Sequence, residues 1–119
     1  MAAPNIVSVA TITGKTVGAA LTTSSADIVT NSAGSGKVFK VNTILVANVD
    51  GTNAADATVA FYNADNTTSY RIASTVSVPA DSTLDLLNKS IYLEEGDKIT
   101  ALASANSDLE IVISYEEIS

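Results

Sequence analysis

Apolar and polar side chains alternate most clearly near the end of the chain. Over residues 98–104, Ile99, Ala101 and Ala103 fall on one face, and Thr100, Leu102 and Ser104 on the other. Over residues 109–115 the contrast is sharper, with Leu109, Ile111, Ile113 and Tyr115 on one side. A period of two marks a strand, because successive strand side chains point to opposite faces. Residues 91–119 are therefore expected to hold two antiparallel strands framed by turns at 94–97 and 104–108, forming a rigid edge of the fold.

Similar runs recur along the chain. Strands are expected at 5–12, 16–21, 27–30, 37–49, 57–62, 69–74, 76–78, 84–87 and 91–93, separated by turn clusters at 13–15, 22–27, 31–36, 50–56, 63–67 and 79–83. Residues 57–62 aim Val59 and Phe61 inward. The longest run, 37–49, places Phe39, Val41, Leu45, Ala47 and Val49 on one face and Val38, Ile44 and Val46 on the other. Apolar residues on both faces fit a central strand under a covering loop, or a strand with one face against a neighbouring subunit. No segment sustains a helical period. Short strands at spacings of roughly 8–12 residues predict an all-β antiparallel β-sandwich, jelly-roll-like or immunoglobulin-like. The length of 119 residues predicts one domain, with residues 1–5 as an N-terminal arm.

Composition narrows the function more than it changes the fold. Asp and Glu number 13 against 6 Lys and Arg, for a net charge of −7. That balance gives no footprint for nucleic acid or for an anionic membrane surface. The N-terminus has no basic stretch followed by a long apolar one, so a soluble protein made in a cytoplasm is expected. The absence of histidine and cysteine removes Ser-His-Asp and Cys-His nucleophiles and His/Cys zinc sites. No catalytic, metal or cofactor site is expected, and no cofactor.

Four short motifs resemble chemical sites. Thr13, Gly14, Lys15 and Thr16 resemble the tail of a phosphate-binding loop, but Val9 stands where its first glycine belongs, and a tight turn is expected instead. The loop at 33–37, with Gly34 and Gly36, reads as a flexible hairpin loop. Asp50, Gly51, Thr52 and Asn53 lack the spacing of a calcium loop and read as a hairpin turn. Glu94, Glu95 and Asp97 read as a solvated hairpin tip, with Gly96 supplying a positive φ.

Three stretches carry a family resemblance: MAAPNIVSVATITGKT, then FYNADNTTSY with VPADSTLDLL, then IYLEEGDKITALAS with LEIVISYEEI. They resemble small virion structural proteins of tailed bacteriophages, nearest to those of myoviruses of marine bacteria and cyanobacteria. Leu93, Gly96, Asp97, Ser114 and Tyr115 match that group's turn-and-strand pattern. The resemblance implies a capsid decoration (cement) protein on the outer capsid surface, bridging capsomers. Its partners would be the major capsid protein and itself, as a trimer ahead of a dimer. The contact residues expected are Ala2, Ala3, Pro4, Asn5, Ile6, Val7 and Ile12, adding to a neighbour's sheet edge, with Ile118 second. A tail, neck or baseplate accessory and a carbohydrate-binding module are the alternatives.

Overall fold

The computed structural model describes residues 11–119. The Thr-, Val- and Ile-rich segments form nine strands: β1 (Ile12–Ala20), β2 (Ala26–Thr30), β3 (Val38–Asn48), β4 (Ala55–Asn63), β5 (Thr68–Val78), β6 (Thr83–Asp85), β7 (Ile91–Leu93), β8 (Lys98–Ala103) and β9 (Leu109–Ile118). One sheet runs β1-β9-β3-β6, with β7 also on β3, and the other runs β2-β8-β4-β5. Every pairing is antiparallel. β6 pairs with 45–47 of β3 and β7 with 39–41, so the two short strands continue one another along one edge.

The expected sandwich is present, and its connectivity is that of a jelly roll. The chain behaves as one long hairpin, pairing β1 with β9, β2 with β8, β3 with β6 and β7, and β4 with β5. Rolling that ribbon adds the cross pairs β3–β9 and β4–β8. An immunoglobulin-like sandwich would place its first two strands side by side; here β1 and β2 lie in opposite sheets.

Core burial follows the alternation in β4, β8 and β9. Val59, Ile99, Ala101, Ala103, Leu109, Ile111 and Ile113 are buried, and Phe61 and Tyr115 pack against them. In β3 the expected faces change partway. The register against β9 shifts at Asn42, between the pairs Val41–Tyr115 and Thr43–Ser114. The extra residue of a bulge reverses the side-chain parity beyond it. Phe39, Val41, Ile44 and Val46 therefore share the inner face, while Leu45 and Ala47 turn outward.

The turns frame crossings between sheets more often than hairpins. β4–β5 is a hairpin within one sheet, but the connections after β1, β2, β3, β5, β7 and β8 pass from one sheet to the other. β8 and β9 are thus not partners, and neither is an edge: each lies between two other strands. The expected turn at 13–15 is absent. Gly14 does not adopt a positive φ, and β1 continues through it in register with Glu116.

Two buried asparagines tie the crossings together, one at each end of the sandwich. Asn31 Nδ2 donates to the carbonyls of Lys37 and Leu93, both at 2.9 Å, and its Oδ1 accepts from Ser35. Asn48 Nδ2 donates to the carbonyls of Asn53 and Val78, and its Oδ1 accepts the Asp50 amide. Each side chain bridges a loop and the end of a strand, and so gives buried polar atoms the partners they require.

Candidate functional site

The motifs that resemble chemical sites are occupied with structural work. Thr13, Gly14, Lys15 and Thr16 lie inside β1, with no helix N-terminus behind them. Asp50 Oδ1 accepts the Thr52 amide at 2.8 Å, and this bond holds its exposed carboxyl below the ordinary value. Gly96 has the expected positive φ of 91°. The solvated tip expected around it needs correction, because Asp97 is buried. Its two carboxylate oxygens accept the amides of Ala64 and Glu94, so it is a fastener and not a free acid. Among the described residues no three His, Cys, Asp or Glu side chains gather to hold a metal ion.

The sheet edges differ sharply. β2 carries a register shift beside Ile28, and β6 and β7 are three residues each. β5 is long, but its pairing with β4 shifts twice, and Thr75 sits at a φ of 47°. Short or bulged edges resist pairing with another chain. β1 has neither protection, and among the described residues no strand pairs on its far side: its nine residues pair with β9 in unbroken register, from Ile12–Ile118 to Ala20–Glu110. Thr11 and Ser119 exchange both backbone hydrogen bonds at 2.9 Å, and the Leu21 amide donates to the Leu109 carbonyl. Antiparallel pairs alternate between bonded and non-bonded. The odd-numbered residues of β1 therefore face β9, while the amides and carbonyls of Ile12, Gly14, Thr16, Gly18 and Ala20 point to the open side.

That open edge is almost free of charge. Lys15 is its one ionised side chain, and it lies 3.2 Å from Glu117, which also holds Lys37 at 3.0 Å. Burial raises the Glu117 pKa, but the hydrogen bonds and charges of Lys37 and Lys15 outweigh it and hold the carboxyl below its ordinary value. Ile12 is 57% exposed, the most of any large apolar side chain described. At the other end of β1, Gly18 and Ala20 leave a shallow depression of about 300 Å³ beside Glu110 and Val112.

A second surface feature lies where the β5 and β7 edges meet. Phe61, Tyr70, Arg71, Ile72, Ile91 and Tyr92 line an apolar cleft of about 240 Å³. Tyr70 and Tyr92 are each nearly half exposed there.

Of the contact residues expected from sequence, Ala2, Ala3, Pro4, Asn5, Ile6 and Val7 lie outside the described residues. Ile12 and Ile118 are direct register partners. Ile118 is buried, so Ile12 is the accessible member of the pair. The outward row of Gly14, Thr16, Gly18 and Ala20 was not anticipated. Its signal is a run of small uncharged residues, but the composition of Thr13, Gly14 and Lys15 predicts a turn there.

No family model matches the chain, and no curated protein does. Solved structures do. One, from work on Bacillus endospore appendages as a family of disulfide-linked pili, has a TM-score of 0.53 at 16% identity, covering 91% of this chain and 87% of that one. Another, from the acid-stable capsid structure of the Helicobacter pylori bacteriophage KHP30, has a TM-score of 0.56 at 8% identity, covering 94% and 90%. At these identities the likeness is one of fold.

Proposed function

We propose that this protein is a non-enzymatic structural component of a phage virion, and specifically a capsid decoration protein on the outer shell. The observation that carries the reading is the jelly roll shared, over nearly the whole chain, with a chain of the KHP30 capsid structure. The sequence resemblance to small virion proteins supports the same reading. The pilus likeness supports a structural role but not its linkage, because this chain has no cysteine with which to form disulfides. The action is mechanical. Copies seated across neighbouring capsomers each contribute modest binding, and several contacts per copy multiply into firm attachment. Ala2, Ala3, Pro4, Asn5, Ile6 and Val7 supply the contact to the major capsid protein.

Purified virions of the phage that encodes this chain provide the test. Gel densitometry should give a copy number comparable to that of the capsomers, and particle images should place the protein on the shell. A few copies per particle would point instead to a tail, neck or baseplate accessory. Removing residues 1–5 should release the protein from shells; full retention would sink the role given to the arm.

A carbohydrate-binding role is favoured by one observation, the exposed Tyr70 and Tyr92 flanking the β5–β7 cleft. Aromatic faces of this kind suit sugar rings. A glycan array without hits would end that reading.

A further inference from the structure

We infer that β1 is the seam of a symmetric dimer, in which the strand pairs antiparallel with β1 of a second copy. An open edge is matched by any strand with outward groups in the same phase, and β1 matches itself. Reversed about Thr16, the strand sets Thr16 opposite Thr16 of the partner subunit, Gly14 opposite Gly18, and Ile12 opposite Ala20. All five are the residues whose backbone groups face the open side, so each opposed pair is a hydrogen-bonding one.

The side chains fit the same register. Ile12, the most exposed large apolar side chain described, lands directly across from Ala20 and diagonal to Gly18. Those two residues border the depression beside Val112, which is 40% exposed. By symmetry each copy inserts one isoleucine and receives one. The glycines add no bulk where the outer faces converge, and a Cβ at Gly14 would meet nothing within 4 Å.

The shape of the edge selects a second copy as the occupant: the exposed Ile12 at one end is the counterpart of the depression beside Gly18 and Ala20 at the other. β1 contains no Asp or Glu, although the chain carries 13. Lys15 sits opposite Val17 of the partner subunit, and Lys37 lies close behind on Glu117. Each subunit brings Lys15 and Lys37 to the seam against Glu117, with Glu110 and Glu116 as the register partners of Ala20 and Gly14.

The dimer goes beyond the virion reading and stands without it. Were both to hold, it would explain the bridging geometry. An antiparallel β1 pair starts its two strands at opposite ends of the seam, about 30 Å apart for nine residues at strand rise.

Cysteine substitutions test the register cleanly, because the chain has no cysteine of its own. Under mild oxidation, Thr16→Cys should form a covalent dimer. Ile12→Cys and Ala20→Cys should stay monomeric separately and cross-link when mixed. Asn88→Cys, on an exposed loop, gives the rate of random collision. Ile12→Asp should weaken the uncross-linked dimer at least about tenfold by sedimentation, having lost a buried apolar side chain, with circular dichroism reporting that the fold is retained. The inference is overturned if Thr16→Cys cross-links no faster than Asn88→Cys, or if Ile12→Cys alone cross-links as fast as the mixture. Cross-linking at Thr16 in a protein absent from virions would keep the dimer and sink the virion reading. Shell binding without cross-linking would do the reverse.

Discussion

Asp97 accepts the backbone amide of Ala64 at 2.9 Å, tying the tip of the β4–β5 hairpin to the crossing between β7 and β8. Its second oxygen takes the Glu94 amide at 3.0 Å. Because Asp97 is buried, Asp97→Ala should lower stability by about 3 kcal/mol, the scale of losing charged hydrogen bonds and stranding their donors. Asp97→Asn, which keeps one acceptor oxygen, should lose less. Urea unfolding followed by circular dichroism measures both.

The neighbouring glycine is equally constrained. A Cβ on Gly96 would come within 2.8 Å of Ala64 Cβ, at a φ of 91°. Gly96→Ala should therefore destabilise by about 2 kcal/mol, from strain and overpacking together. Gly14→Ala meets nothing within 4 Å. It should stay within about 0.5 kcal/mol of the parent, as surface substitutions do. Equal effects at the two positions would contradict the contact with Ala64.

The Asn42 bulge makes adjacent residues unequal. Ile44 is fully buried and Leu45 only partly so. Ile44→Ala should cost about 3–4 kcal/mol and Leu45→Ala about 1 kcal/mol. The opposite ranking, which simple alternation from Phe39 predicts, would mean that the bulge is absent. Chemical denaturation midpoints at constant m separate the two cases.

Glu117 makes stability depend on pH. Its folded pKa lies below its unfolded one, because Lys37 and Lys15 outweigh the burial that raises it. Its contribution is therefore complete above the unfolded value of about 4.3 and is lost as pH falls through the folded value. Thermal unfolding should show a steeper decline below about pH 5 for the parent than for Glu117→Gln. Identical acid limbs would show that the lysines leave the carboxyl unperturbed.

Legibility followed locality. The buried faces of β8 and β9 could be read residue by residue, because alternation is a property of consecutive positions. The positive φ at Gly96 was readable for the same reason. Gly14 misled, since a glycine between two threonine-flanked runs has the composition of a turn whether or not the chain bends there. Asp97 misled in the other direction. Three acids around a glycine look solvated, and only the approach of Ala64 from a distant hairpin buries one of them. The outward row of β1 was hidden because an open edge is defined by what fails to pair with it.

By itself the sequence determined an all-β sandwich, the positions of most strands, the inward residues of β4, β8 and β9, and the exclusion of histidine and cysteine chemistry. Each is set by side-chain type and near neighbours along the chain. Tertiary structure alone decided that most turns are crossings between sheets, that Asn42 reverses the faces of β3, and that β1 has no partner on its far side among the described residues. Those outcomes depend on pairing across large sequence separations, Ile12 with Ile118 and Val38 with Ile118, and no local pattern records which strands will meet.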